Sequence, residues 1–425
     1  MPKALALGLW GWAMRLATPI LLLRWWRRGR VEPGYRQALS ERLAWYSGPA
    51  PGAGWLWLHA VSLGETRAAA PLIAALRERE PGLRLLLTHT TATGRAAGAE
   101  LLRAGDAQAW LPLDTPGATR RFFAHWQPRQ GVLMETEAWP QLLAAAQAAG
   151  VPVDLANARL SERSLRKGER APALLGVAAA RLRAVLAQTE ADAQRLRRMG
   201  CPQVEVVGNL KYDLAPNPAL LALAGQWRAL LGEQGLVLAA STREGEEALL
   251  LAAWQQLPAP RPRLLIVPRH PQRFDEVAAL MPGVARRSRW GPSGPDAQAL
   301  SSPLWLGDSM REMALYYALA DVALLGGSFE ALGGQNLIEA AACGCPLLMG
   351  PSTFNFAEAA ELSLAAGAAR RVADAQEALR LAQQLLNEKA ALGQMARAAA
   401  EFAGAHRGAA ARMAERLIPR CDRPA

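Results

Sequence analysis

From residue 55 onward, short uninterrupted apolar runs alternate with stretches of ten or more residues whose apolar positions recur at helical spacing. In the first half the runs cover residues 55–59, 83–88, 109–113, 131–134, 151–155, 184–187 and 204–207. In the second they cover 236–240, 263–267, 284–287, 304–306, 322–325 and 346–349. Runs of this length bounded by turn residues read as strands buried on both faces, and their alternation with helices implies parallel sheets joined by right-handed crossovers. Between the halves, Asp213-Leu-Ala-Pro-Asn-Pro218 carries two prolines and reads as a semi-rigid connector. The pattern predicts two doubly wound α/β domains with a cleft between them. The Ala/Leu/Arg/Glu-rich stretch over residues 376–416 adds packing helices without chemistry.

A different pattern precedes the first run. Residues 4–23 are nearly all apolar and about 30 Å long if helical, enough to span a bilayer. Arg15 lies near their middle, where a charge costs roughly 2.5–3.5 kcal/mol on insertion scales. A basic end follows at Arg24-Trp-Trp-Arg-Arg-Gly-Arg30, and residues 1–50 hold eight Lys or Arg against Glu32 and Glu41. The order of the basic cluster after the apolar stretch, with no small-residue cleavage site, argues against a cleavable signal peptide. A spanning helix with Arg24–Arg30 inside obeys the positive-inside rule, and an interfacial helix with Trp and Arg among anionic headgroups fits equally. Either places the body on the cytoplasmic face of a membrane.

The remainder of the net charge of +11 is interleaved with acids and no nucleic-acid motif appears, which excludes a nucleic-acid partner. Cys201, Cys343, Cys345 and Cys421 are too scattered for a disulfide framework or a zinc site and imply a reducing compartment.

Candidate chemistry sits where strands end. Glu65 follows the first run in Ser62-Leu-Gly-Glu65, aimed at the crevice beyond the carboxyl ends of the strands. A carboxylate there can deprotonate an attacking hydroxyl. The same Ser-x-x-Glu spacing fits a capping box with no chemistry. Glu135 and Glu137 follow the fourth run and share a face if that strand continues. The polar segment 157–164 follows the fifth, either as a binding loop or as a solvated one. Lys211, in Gly208-Asn-Leu-Lys-Tyr-Asp213, closes the first half.

In the second half, Ser241-Thr242 and Pro268-Arg269-His270-Pro271 follow the first two strands, and Arg or protonated His can bind a phosphate. Two glycine pairs, Gly326-Gly327 and Gly333-Gly334, allow close backbone approach. A helix beginning near Asn336 would present N–H groups to an anion, with Glu339 placed to bond a ribose diol. No Gly-x-Gly-x-x-Gly, Walker loop or Gly-x-Ser-x-Gly is present, and the five histidines are dispersed. Sugar transfer between two such domains fits better than hydride transfer, ATP hydrolysis or ester hydrolysis.

Eight ordered segments resemble the 3-deoxy-D-manno-octulosonic acid (Kdo) transferases of lipid A assembly: HAVSLGE (59–65), ETEAWP (135–140), NARLSERS (157–164), GNLKYD (208–213), PRHPQRF (268–274), GDSMREM (307–313), GGQNLIEAA (333–341) and GPSTFNF (350–356). The resemblance implies a GT-B fold, two Rossmann-like domains with an N-terminal membrane-anchor helix. Residues 1–47 would be the anchor, 48–213 the acceptor-binding domain and 214–425 the CMP-Kdo-binding domain. It implies inverting transfer of Kdo from CMP-Kdo to the 6′-hydroxyl of a lipid A precursor (lipid IVA) at the cytoplasmic face of the inner membrane, with no cofactor or metal. Carried over by position, Glu65 resembles the general base, and Glu135 and Lys211 resemble residues that stabilise the transition state. Arg269, His270, Met310, Arg311, Glu312, Asn336, Leu337, Ile338 and Glu339 resemble the CMP-binding segments. Glu65 at a helix start would be held ionised by the dipole, which lowers its basicity.

The chain departs from the family pattern at Gln335 and Arg243, both where His is expected, and at Leu337-Ile-Glu-Ala340. Gln335 keeps a hydrogen bond but cannot carry charge. Two alternatives stand beside Kdo transfer: another GT-B enzyme such as a UDP-sugar transferase or 2-epimerase, and a non-enzymatic membrane-surface protein driven by the basic N-terminus.

Overall fold

Every residue of Trp55–His59 is buried, as a strand covered by helices on both faces requires. The same holds for most later runs, and the computed structural model, which describes residues 3–48, 50–137, 139–213 and 215–419, arranges them as two parallel seven-stranded sheets. The first contains β1 (Trp55–His59), β2 (Leu85–His89), β3 (Ala107–Trp110), β4 (Pro128–Met134), β5 (Val153–Ala158), β6 (Val185–Ala187) and β7 (Val204–Val206), ordered β3-β2-β1-β4-β5-β6-β7. The second contains β8 (Leu236–Thr242), β9 (Arg263–Pro268), β10 (Ala285–Arg286), β11 (Leu304–Leu306), β12 (Val322–Leu325), β13 (Leu347–Met349) and β14 (Ala369–Arg371). Its order is β10-β11-β9-β8-β12-β13-β14.

Thirteen of these strands coincide with the apolar runs. The apolar pattern missed β14: it is an edge strand of three residues with only Ala369 buried, so it carries no apolar run.

In the first unit, hydroxyl side chains start the helices that follow strands. Ser62, Thr91, Ser161 and Thr189 each accept an N–H from three residues on, satisfying donors that a helix start leaves orphaned. The helix after β1 is α2 (Leu63–Arg79).

Residues 1–213 and 407–425 form one unit and 214–406 the other. This corrects the expected second domain of 214–425. Ala409, Ala410, Met413, Ala414 and Leu417 of the last described helix join the core formed by Leu56, Leu58, Leu72 and Val132. Asp213 fixes that helix by accepting the N–H groups of Gly408 and Ala410, both at 2.5 Å. Apolar burial on the first sheet, which periodicity does not assign to a partner, decides where this helix belongs. Cys421 lies outside the described residues.

The N-terminal apolar segment is the helix α1 (Lys3–Arg28), long and apolar enough to cross a membrane. One side of it is docked on the first unit. Trp10 Nε1 donates to Asp114 at 2.6 Å, and Gln141 Nε2 donates to the Leu7 carbonyl at 2.6 Å. Gly11 is needed for this approach, since a Cβ there would sit 2.8 Å from Gln141 Nε2. At the far end, the Arg42 guanidinium lies between the rings of Trp25 and Trp110, 3.8 and 3.9 Å from their centroids. Burial there lowers the Arg42 pKa to about 9. The other side presents Leu5, Leu9, Trp12, Leu16, Ile20 and Leu23, 45–73% exposed and spaced as one helical stripe.

Candidate active site

The strand order reverses between β1 and β4 in the first unit and between β8 and β12 in the second. Beyond the carboxyl ends of strands at such a point lies the crevice where open parallel sheets bind ligands. Glu65 follows β1 and Glu135 follows β4, so the first reversal is flanked by two carboxylates.

Glu65 makes the capping box that its spacing predicts, with the reciprocal bond moved back by one residue. The Ser62 hydroxyl accepts the Glu65 N–H at 3.4 Å. The Glu65 carboxylate accepts the Val61 N–H at 2.8 Å and the Ser62 hydroxyl at 3.1 Å. Burial raises the Glu65 pKa above its ordinary value, the Val61 N–H opposes the rise, and the charge of Glu135 adds to it. The expectation that the helix start lowers its basicity is overturned, because desolvation and a like charge outweigh the donors. The same side chain therefore caps α2 and carries a basicity above that of an ordinary carboxylate.

Glu135 does not continue β4. Its φ of +59° lies in the left-handed region, so the strand ends at Met134 and the expected shared face of Glu135 and Glu137 is lost. A non-glycine in that region is strained, and such strain collects where side chains must be aimed. Asn157 and Ser241 share it at the ends of β5 and β8, with φ of +52° and +56°, and Arg311 shares it in the segment after β11, with φ of +67°. The Glu135 carboxylate lies 3.5 Å from Arg159, and the Glu135 carbonyl accepts the Arg159 N–H at 3.3 Å.

Glu137 still reaches the cluster. Burial first, and then the charges of Glu65 and Glu135, push its pKa up from 4.5 to about 7. Lys211 sits on the short turn Leu210–Asp213. That turn is held by Asn157 Oδ1, which accepts the Leu210 N–H at 3.1 Å. Burial lowers the Lys211 pKa, Glu135 counteracts the fall and Arg159 adds to it. The structure thus gathers Glu65, Glu135 and Lys211, and adds Glu137 and Arg159.

The Glu137 environment has a testable sign. Glu65→Gln removes a charge that raises Glu137, so the Glu137 pKa, followed by NMR of its side-chain carboxyl, falls toward the ordinary value. An unchanged Glu137 titration refutes the coupling. A carboxyl raised from 4.5 to about 7 on folding costs nothing below pH 4.5 and destabilises as pH rises through 7. Thermal unfolding should therefore show Glu137→Gln gaining stability relative to wild type over that window.

In the second unit the segments expected to bind CMP follow strands of one sheet. Arg269 and His270 follow β9, and the Arg269 N–H donates to the Thr242 carbonyl at 2.9 Å. Met310 and Arg311 are exposed beyond β11. Glu312 is engaged by Arg287 through two bonds of 3.0 and 2.8 Å. Its helix, Met313–Leu319, meets the C-terminal end of helix Ile338–Ala342, where Cys343 Sγ approaches the Ala314 carbonyl at 3.7 Å.

The expected anion-binding helix start is not formed. The helix begins at Ile338 and has five residues, and Asn336 Oδ1 already accepts the Ile338 N–H at 3.2 Å. Leu337 and Ile338 are buried, so only their backbone can meet a ligand; Asn336 and Glu339 retain accessible side chains.

Two acids that pattern reasoning left without a role hold this end of the sheet. The buried Glu246 carboxylate accepts N–H groups from Arg243 at 2.9 Å, Gly327 at 2.7 Å and Phe329 at 3.1 Å. The adjacent Glu247, fully buried, takes the Thr242 hydroxyl at 2.7 Å and Arg273 at 2.8 and 3.1 Å. Nothing in Ser-Thr-Arg-Glu-Gly-Glu-Glu247 separates these from solvated acids in a first helical turn. Gly326 needs its lack of Cβ, which would lie 2.4 Å from the Ser241 carbonyl oxygen. Gly326→Ala should push β12 off β8, costing about 1–3 kcal/mol in thermal unfolding and weakening CMP binding by calorimetry. Unchanged CMP affinity would disconnect this loop from the nucleotide.

Residues 37–214 match the family model described as 3-deoxy-D-manno-octulosonic-acid transferase (kdotransferase). A 3-deoxy-D-manno-octulosonic acid transferase of Bordetella pertussis is 48% identical over 96% of this chain and 98% of its own length. The chain belongs to the Kdo transferase family. A second relative of that description, from Haemophilus influenzae, is 34% identical over 92% of this chain and 93% of its own. The transferase is similar in fold to the UDP-GlcNAc 2-epimerase of Neisseria meningitidis, solved bound to UDP-GlcNAc, with a TM-score of 0.56 at 16% identity, covering 86% of this chain and 100% of that one. It is thus a GT-B type glycosyltransferase, and Glu65, Glu135 and Lys211 are residues of a Kdo transferase.

Proposed function

We propose that this transferase moves Kdo from CMP-Kdo to the 6′-hydroxyl of a lipid A precursor, lipid IVA, with inversion at the anomeric carbon and without a metal. The observation that carries the reading is the meeting of Glu65, Glu135 and Lys211 beyond β1, β4 and β7 in one unit. Glu65 would take the proton of the attacking hydroxyl, and its raised pKa improves it as a base. Glu135 would stabilise positive charge developing at the ketosidic carbon, and Lys211 negative charge developing on the leaving phosphate. Arg269, His270, Met310, Arg311, Glu312 and the 336–339 segment would hold CMP. The test is CMP release from CMP-Kdo with lipid IVA after EDTA treatment, and mass spectrometry of the lipid product, which also counts the Kdo units added. Turnover with UDP sugars in place of CMP-Kdo would overturn the donor assignment.

We also propose that α1 lies in the membrane interface at the cytoplasmic face of the inner membrane and does not span it. Support comes from its docked side, whose bonds from Leu7 to Trp25 hold it along the first unit, and from the opposite apolar stripe. Arg24 and Arg27 are exposed beside that stripe, where each adds about 1 kcal/mol toward anionic lipid. Leu16→Glu with Ile20→Glu alters only the outward side. Sedimentation with anionic vesicles should be lost in that variant, and retention would overturn the interfacial reading.

A further inference from the structure

Between α1 and the turn that follows helix Glu162–Glu169 runs a groove of 560 Å³. Its α1 wall is Ala6, Leu9, Trp10 and Ala13, and its opposite wall is residues 170–174, Arg-Ala-Pro-Ala-Leu. Apart from Arg170 these are apolar side chains. The Trp10 ring nitrogen, which would otherwise be its polar feature, is spent on Asp114. The groove opens beside the exposed stripe of α1, since Leu9 belongs to both.

One short helix joins this groove to the carboxylate cluster. Arg159 sits 3.5 Å from Glu135, Ser161 caps the helix two residues later, and Arg170 ends it in the groove wall. Eight helical residues span about 12 Å. Arg163, Lys167 and Arg170 are spaced i, i+4 and i+7, so they form a row on one face from the cluster end to the groove end. All three are exposed and none makes an ion pair among the described residues, whereas Arg166 beside the row pairs with Glu162, and Arg159 before the helix pairs with Glu135. A row of uncommitted cations between a reaction centre and an apolar groove matches a ligand with phosphate near its sugar and hydrocarbon beyond it.

We infer that the groove between α1 and residues 170–174 holds an acyl chain of the lipid acceptor, with Arg163, Lys167 and Arg170 binding its phosphate. The inference rests on the proposed acceptor class and specifies where that acceptor lies. A bulk phospholipid would use the groove but has no reason to be led from it to Glu65; the cationic row supplies that direction and favours the acceptor. Helix α1 then has two roles, an outward face for the membrane and an edge that forms part of the substrate site.

The test uses the full chain in detergent, with CMP-Kdo and phosphorylated disaccharide acceptors that differ only in acyl chain length. Wild type should show kcat/KM rising with chain length, because a methylene in a fitted apolar pocket is worth about tenfold or more. Filling the groove by Ala13→Trp with Ala173→Phe should abolish that dependence while leaving the short-chain acceptor unchanged. Equal loss on all acceptors, or an undiminished dependence, overturns the inference. Crosslinking of an acceptor carrying a terminal diazirine on its acyl chain, done on wild type, should label residues 6–13 or 170–174. Labelling elsewhere overturns the inference, as does equal labelling by a diazirine phospholipid that the acceptor fails to displace. If wild type releases no CMP with any acceptor, the transfer reading fails, and the crosslink still reports on the groove by itself.

Discussion

Glu65→Gln should lower Kdo transfer by about 10²–10⁴-fold, the range a positioned general base supplies. Gln is the informative replacement because it satisfies a capping box as Glu does, so it keeps α2 started while removing the charge and the basicity. Ser62→Ala is the complementary variant. It deletes the hydroxyl that accepts the Glu65 N–H and should cost about 1 kcal/mol of stability while leaving the carboxylate beside Glu135. Thermal unfolding and CMP release on the two variants then move in opposite proportions: activity falls in the first, stability in the second. Should Glu65→Gln keep most of its activity, the carboxylate is a cap and the base lies elsewhere in the cluster. The wild-type rate should climb with pH through a value above the ordinary carboxylate range, since burial and Glu135 hold the Glu65 pKa up.

Glu247→Leu should be the most destabilising single change in the second unit, at about 3–5 kcal/mol, because it leaves the buried Arg273 guanidinium without its main partner. In thermal unfolding this corresponds to a fall of about 6–20 °C for a domain of this size. Adding Arg273→Met should restore most of the loss, since an apolar pair of similar volume replaces a buried ion pair at little cost. A double variant no better than the single would show that the Thr242 hydroxyl, also bound to Glu247, carries the stability. The pair has a functional reading too. Arg273 sits in the turn directly after Arg269 and His270, so the ion pair holds the proposed CMP segment against the end of β8. CMP affinity should fall with stability in the single variant and recover in the double.

The first site was only partly visible along the chain. Glu65, Glu135 and Lys211 were each legible as polar groups at strand ends, but they are separated by scores of residues. They meet because β1 pairs with β4 at the reversal of strand order, an outcome of sheet assembly that no local window contains. Glu137 was visible but unplaced: the pleat argument failed when Glu135 took a left-handed backbone, and burial near Glu65 gave Glu137 its perturbed proton affinity. Glu246 and Glu247 were illegible for the opposite reason. Acids in a first helical turn look solvated, and only the folded unit puts Glu246 under backbone N–H groups where β8 and β12 approach and Glu247 against Thr242 and Arg273.

What the sequence determined by itself is whatever depends on neighbours within a few residues: thirteen of fourteen strands from apolar runs, the cap at Ser62, and the ordered segments that mark the family. Tertiary structure decided whatever depends on distant partners. The last helix went to the first unit because the apolar faces of Ala410, Met413 and Leu417 found cover there. Residues 4–23 are apolar on all sides, so their spacing cannot name a docking face. Asp114, Gln141 and the small Gly11 chose it, leaving one stripe outward and a groove along its edge. The physical reason is the same in both cases: burial is a property of the assembled surface, and a chain alone specifies which residues need cover but not what covers them.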